Sequence, residues 1–306
     1  MLFRFEALEG RGFQGTVLGT LIMPYCSGIS NLIFAFVMGK TKGSGALVVE
    51  NCMVNNVTNL TLLLGLPALF WHLNLFPEKN GKPLKKAKAI DYRMNRLSLA
   101  LTLIALLFFS ALLWALTRDR ILDFNDGLVL IGVFLFWQVF HVFDVLKDNV
   151  RDKLFFSWKI PLDLGIIFCS GYGVYISIER LVEWMPRQGA GFLEYEMIGW
   201  LSGILMVMPN AFLAFYYASR KRADIVYASQ IGDGHICIPM CIGLFALFQT
   251  IKVPSFFETG IFLILGSGMI HFFFIVIFGR LPRLIGLLFT IAYGFFLYKG
   301  FFAAFV

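Results

Sequence analysis

Asparagine recurs in this chain where it is least expected. Asn31, Asn55, Asn59 and Asn210 all stand inside long apolar runs, and Asp233 stands inside another. An amide buried in such a run commonly bonds to a neighbouring helix. Its oxygen can equally face a cation, because hard cations take carboxylate, amide and backbone carbonyl oxygens as ligands. A carboxylate deep in a membrane span is costly and by default marks an ion or proton path. Asp233 is therefore the strongest single candidate. Two helix breaks are expected beside these residues, at Cys26-Ser27-Gly28 and at Pro209 directly before Asn210. Breaks of this kind free backbone carbonyls and are tolerated only where they line protein or water.

The candidates are ordered by an internal repeat. Aligning Asn31 with Asn210 sets NLIFAF (31–36) beside NAFLAF (210–215), and each copy continues into a short basic turn. With one turn residue deleted, LVVENCMVNNVTNLTLLLG (47–65) runs beside IVYASQIGDGHICIPMCIG (225–243). Asn55 then pairs with Asp233, Asn59 with Cys237 and Gly65 with Gly243. Each copy is a helix pair with polar residues in both members.

The elements that must carry these pairs are membrane helices. The chain has 306 residues, 58% hydrophobic and 15% charged, with 35 Phe and a mean hydropathy of +0.77. Soluble domains carry roughly a quarter of their residues charged. Apolar runs long enough to span a bilayer lie near 13–39, 45–72, 97–117, 127–146, 162–182, 197–218, 223–250, 254–279 and 283–304. They are continuous rather than alternating, which predicts helices and not a barrel. The expectation is an all-α integral membrane protein of about nine spans. The phenylalanine-rich stripes are expected to face lipid. Asp233 and the asparagines place the motif pairs on 13–72 and 197–250. The halves are expected to be 1–146 and 162–306, joined by a linker at 147–161.

Charge placement predicts orientation. The net charge is +7, and 18 of the 26 Lys and Arg fall in alternate connecting segments if the N-terminus is cytoplasmic. That distribution puts the C-terminus outside and the loop PEKNGKPLKKAKAIDYRMNR on the cytoplasmic side. The basic excess is an address, not a nucleic-acid signal. Short loops suit a bacterial inner membrane. With this topology the two motif pairs enter the bilayer from opposite sides. They are then inverted repeats, the arrangement that permits alternating access about a midplane site.

At these residues the chain resembles the cation/calcium antiporter superfamily, which includes the sodium/calcium exchangers. Each family repeat reads approximately G-T-S-L-P-E, a turn, then G-N-x-x-G-S-N-x-x-N/D and a terminal L-G. This chain shows S-G-I-S-N (27–31) and E-N-C-M-V-N-N-V-T-N (50–59) through Leu64-Gly65. The second copy shows M-V-M-P-N (206–210), A-S-Q-I-G-D-G-H-I-C (228–237) and Gly243. The resemblance implies the exchanger fold, transport rather than enzymatic activity, and a cation site at Ser27, Asn31, Asn55, Asn59, Asn210 and Asp233. Glu50, His235 and Cys237 are secondary candidates. Asn31 and Asn210 stand where the family carries its two calcium-binding glutamates, and Asn55 and Asp233 stand where it has serines. Family members begin with one more long helix, so the first family helix is expected to be missing.

One carboxylate among amides balances a monovalent ion or a proton better than Ca²⁺, whose uncompensated charge in a low-dielectric site is costly. Na⁺, H⁺, K⁺ and Ca²⁺ all stay open, and the expected function is secondary cation antiport. The competing expectation is a transport-inactive relative that serves as a membrane assembly protein. No organic cofactor is expected; the partners are the lipid bilayer and small inorganic cations. The sequence does not specify oligomeric state. Cys26, Cys52, Cys169, Cys237 and Cys241 contain no CxxC pair and read as small apolar packing residues. His235 reads as a packing or capping residue. His141 with Asp144, and Ser267 with His271, share helical faces.

Overall fold

The computed structural model describes residues 23–75, 86–149, 166, 169, 172–173, 175–180, 184 and 197–300, with side chains omitted over 23–27, 86–94 and 141–149. Within them run eight long helices: α1 (Met23–Lys40), α2 (Gly45–Trp71), α3 (Lys86–Leu116), α4 (Phe124–Asn149), α5 (Ile198–Ser219), α6 (Ala223–His235, Ile236–Cys241 and Ile242–Ala246 end to end), α7 (Phe257–Phe278) and α8 (Arg283–Gly300). Residues 175–180 are also helical. Helix α4 continues through 147–149, the first residues of the expected linker; the linker from 150 on, much of the expected span at 162–182 and the side chains of His141 and Asp144 lie outside the described residues. Four helices (α2, α5, α7 and the α3 segment from Asn95) are long and apolar enough to cross a membrane by length and composition.

The repeat is visible in backbone detail. The turn joining α1 to α2 carries Lys42 in the left-handed region, and the turn joining α5 to α6 carries Lys221 there, with φ of 56° and 58°. In both turns the next N–H reaches back five residues, Gly43 to the Met38 carbonyl and Arg222 to the Tyr217 carbonyl, at 2.8 and 2.9 Å. This is the Schellman closure of a helix end. Further along, α2 loosens into a π turn over Thr58–Leu62, and α6 does so over Ile236–Cys241. The two π turns begin at positions that the sequence alignment pairs.

Two short strand contacts follow the same symmetry. After α3, β1 (Ile121–Leu122) pairs antiparallel with β2 (Ile251–Lys252), which follows α6. After α2, Asn74 bridges Arg280, which follows α7. Each half therefore ties the exit of its second helix to the exit of the other half's third. These four-residue and two-residue contacts are the only strand pairing among the described residues.

Helices α2 and α6 form the centre, and 78% of the most apolar window of α2 is buried inside the protein against 33% for α7. The packing is exchanged between halves: α5 lies along α2, while α1 lies along α6. Helix α8 crosses the second part of α2, α3 packs on α6 and α7, and α4 packs on the end of α6. The outer helices expose Phe108, Phe136, Phe262 and Phe273. The expectation of lipid-facing phenylalanines needs narrowing, because Phe34, Phe109, Phe245, Phe289 and Phe296 are buried between helices. Only position on the helix face, not residue type, separates the two groups.

Three other expectations are corrected. Helix α1 runs unbroken from Met23 through Cys26-Ser27-Gly28, and α5 runs unbroken through Pro209. Neither expected break exists; membrane helices absorb an isolated proline because neighbouring groups take up the freed carbonyl. The irregular turns sit instead in the partner helices. The loop expected to reach residue 96 is helical from Lys86, as its Lys, Ala, Met and Arg content favours.

Close packing of α2 on α8 depends on two glycines. A Cβ at Gly286 would lie 2.7 Å from the Gly65 carbonyl oxygen, and one at Gly65 would lie 2.9 Å from the Gly286 carbonyl oxygen. Both neighbours are backbone, so neither can rotate aside. Such small-residue contacts let membrane helices approach closely. Gly286→Ala is expected to destabilise the protein by about 1–3 kcal/mol, the usual range for overpacking. Gly294 on the same helix has open space around it, so Gly294→Ala is expected to leave the thermal midpoint within a degree or two of the parent. Unfolding scans of the three purified proteins in detergent check this; equal midpoints would refute the tight α2–α8 crossing.

Candidate ion-binding site

The π turns and the two long hairpins bring four of the six primary candidates into one buried chain of contacts. Asp233 on α6 has no solvent exposure. Its Oδ2 accepts from Asn55 Nδ2 at 2.5 Å and from Asn59 Nδ2 at 2.8 Å. Both donors come from α2, one helical turn apart, so they reach the same oxygen from one face. Asn210 on α5 donates from Nδ2 to Asn59 Oδ1 at 3.2 Å. Helix α1 also approaches: a Cβ on Gly28 would lie 3.2 Å from Asp233 Oδ1. Glycine at 28 thus keeps the α1 backbone close to the carboxylate.

The unpaired atoms are as informative as the paired ones. Asn31 Oδ1, Asn55 Oδ1 and Asn210 Oδ1 are buried with no hydrogen-bond partner, and so are Asn51 Oδ1, Asn56 Oδ1 and Gln230 Oε1. Leaving a buried acceptor unmade costs about 1–3 kcal/mol. These six unpaired amide oxygens lie on the two central helices, α2 and α6, and on the two helices packed along them, α1 and α5. Asn31, on α1, has neither its oxygen nor its nitrogen engaged, although it is 1% exposed. Unpaired amide oxygens beside a buried carboxylate are donor types that a hard cation takes as ligands.

The remaining candidates divide. The side chain of Ser27 lies outside the described residues. Glu50 on α2 packs against Gly199, at the start of α5, where the helix dipole favours an acid. His235 faces away from Asp233: its Nε2 lies 2.8 Å from the Thr102 carbonyl, and its ring packs edge-on to Phe109 and Trp137. Cys237 does join, with Sγ accepting from Asn55 Nδ2 at 3.1 Å and lying 3.8 Å from Asp233 Oδ2. On α7, His271 Nε2 meets the Leu60 carbonyl within the π turn of α2 at 2.8 Å. Ser267, on the same helical face, bonds to the Leu263 carbonyl of its own helix.

Sequence reading missed Gln230, Asn51 and Asn56. Gln230 donates to the Asn210 carbonyl at 3.3 Å. Asn51 donates to Ser202 Oγ at 3.0 Å and to Met206 Sδ at 3.4 Å. A signal existed: Gln230 lies three residues before Asp233, and Asn51 four before Asn55, so each shares its neighbour's helical face.

Fold and site together define a multi-pass integral membrane protein built from two like halves, with a buried oxygen-rich cluster where the halves meet. The family described as sodium/calcium exchanger protein matches the chain over residues 6–143 and 162–301. The chain belongs to that family. Among solved structures it is similar to the sodium-calcium exchanger NCX_Mj soaked with 2.5 mM Na⁺ and 10 mM Sr²⁺, at 15% identity and a TM-score of 0.65, over 94% of this chain and 88% of that one. It is equally similar to NCX_Mj soaked with 10 mM Na⁺ and zero Ca²⁺, at 14% identity and a TM-score of 0.65, over 97% and 91%. At such identities the likeness speaks for the fold. Among curated proteins none matches the chain.

Proposed function

We propose that the protein is a secondary cation antiporter that works by alternating access about a site made of Asn31, Asn55, Asn59, Asn210 and Asp233, with Ser27 on the approaching turn of α1. The observation that carries this reading is a buried carboxylate held by Asn55 and Asn59, on helices that also carry the unpaired buried amide oxygens of Asn31, Asn55 and Asn210. A single carboxylate balances one monovalent charge, so Na⁺ is the ion the site fits best, with H⁺ or K⁺ as exchange partner. A dehydrated Ca²⁺ would sit there with a surplus positive charge, which a low-dielectric interior penalises by several kcal/mol.

The two inverted halves supply the mechanism. Each half can take the conformation of the other, which opens the same site to one side of the membrane and then to the opposite side. The division at 1–146 and 162–306 and the cytoplasmic N-terminus belong to this reading and rest on the repeat and on the distribution of basic residues. Purified protein in proteoliposomes loaded with Na⁺ is expected to exchange it for external Na⁺, K⁺ or H⁺ above the rate of protein-free vesicles. Na⁺ is also expected to raise the thermal midpoint saturably, because a ligand of the folded state stabilises it. No flux with any of Na⁺, K⁺, H⁺ or Ca²⁺, and no such shift, would overturn the proposal and leave a transport-inactive assembly protein.

A further inference from the structure

Beside the oxygen cluster stands a second set of donors with different chemistry. Cys52, Cys237 and Cys241 are free and buried, and their three sulfur atoms all lie within 4.8 Å of one another. Cys52 comes from α2, one turn before Asn55 and Asn56. Cys237 and Cys241 come from the π turn of α6, four residues apart and therefore on one face. The turn that carries Asp233's neighbours thus also gathers the thiols.

We propose that Cys52, Cys237 and Cys241, with Asp233 as the fourth donor, bind a thiophilic d¹⁰ metal ion of the Zn²⁺ or Cd²⁺ class. Tetrahedral zinc with metal–sulfur bonds of about 2.3 Å spaces its sulfur ligands about 3.8 Å apart and sulfur from oxygen about 3.5 Å. The thiols need close by less than about 1 Å to meet the first spacing. Cys237 Sγ and Asp233 Oδ2, at 3.8 Å, nearly meet the second for one sulfur, while Asp233 stands outside the 4.8 Å group of the three thiols and must shift toward the other two. Asn55 donates its Nδ2 to Cys237 Sγ, as a supporting group does to a thiolate ligand in an established metal site.

Protonated cysteines are small neutral hydrophobes and cost little when no metal is bound. A divalent ion that binds all three as thiolates releases three protons. With Asp233 ionised, the cluster then goes from one negative charge to two, a far smaller change than three thiolates without the metal would make. Apolar packing alone needs neither three thiols in mutual reach nor an amide aimed at one of them. Soft donors select zinc-type ions over Na⁺ and Ca²⁺, which prefer oxygen.

This inference goes beyond the antiport reading and shares Asp233 and Asn55 with it. The test is titration of the purified full-length protein, kept reduced, with Cd²⁺ alone in detergent. One equivalent is expected to produce a thiolate-to-cadmium charge-transfer absorption. Cys52→Ala and Cys241→Ala are each expected to weaken binding about 10- to 100-fold, at least the loss typical of removing a supporting partner. Cys241→Ser serves where the alanine variant does not purify, and Cys169→Ala, at an exposed site, is the control that should bind normally. The proposal is overturned if the band is absent, if it survives both cysteine substitutions, or if thiol counting finds a disulfide within the trio. Na⁺ flux of the unmodified protein is read separately. A cadmium band without flux removes the antiport reading and keeps the thiol site; flux without a band does the reverse.

Discussion

Asp233→Asn is expected to lower Na⁺ exchange in proteoliposomes by at least about 100-fold while the protein still folds. Among the described residues this carboxylate is the one hydrogen-bonded to the site's amides, and its Oδ2 holds both Asn55 and Asn59 in place. At an effective dielectric near 20, a unit charge about 5 Å from a monovalent cation contributes about 3 kcal/mol. Losing that much binding free energy corresponds to about 100-fold in affinity. Folding should survive, because the asparagine keeps one acceptor oxygen for the two donors. The loss is then the difference between charged and neutral hydrogen bonds, about 1–2 kcal/mol, offset in part by no longer burying a charge. Asp233→Leu separates the two effects, since it strands both donors and should lower the thermal midpoint as well. Flux within twofold of the parent in a folded Asp233→Asn protein would remove Asp233 from the site.

Much of this arrangement was legible because apolar runs and polar exceptions are written directly in the residues. Seven of the nine expected spans coincide with described helices to within a few residues at most ends, since each is bounded by Gly, Ser, Pro or charged turns. The repeat was legible from Asn31 against Asn210, and the paired left-handed lysines at 42 and 221 carry it into the backbone. The π turns were not legible. A π turn differs from an α turn by one extra residue and leaves no compositional mark, so proline and glycine in α1 and α5 drew attention to helices that stay continuous.

The thiol cluster was hidden for a related reason. Aligning the repeats sets Cys237 beside Asn59 and Cys52 beside Gln230, so symmetry never places cysteine opposite cysteine. Their proximity arises only because α2 and α6 cross at the centre and the π turn of α6 rotates Cys237 and Cys241 toward α2. Periodicity along one helix carries no information about such a crossing. The same holds for the unpaired amide oxygens: the sequence shows the amides, but only packing shows which of their atoms lack a partner.

The second large effect concerns which ion the site prefers. Asn210 is buried and donates to Asn59, while its own oxygen is unpaired. Asn210→Asp changes one atom and gives the cluster a second carboxylate. A new charge about 5 Å from the ion contributes about 3 kcal/mol per unit of cation charge, twice as much for Ca²⁺ as for Na⁺. The cost of burying the carboxylate is common to both ions and cancels from their ratio. Preference for Ca²⁺ over Na⁺ is therefore expected to rise by about 100-fold, the factor that 3 kcal/mol represents. Competitive titration of the purified variant with the two ions measures that ratio directly. A ratio within twofold of the parent would mean that Asn210 does not face the ion, and that the oxygens of Asn31 and Asn55 must hold it without α5. A rise of the expected size would mean that the number of carboxylates in this one cluster sets the valence of the ion it accepts.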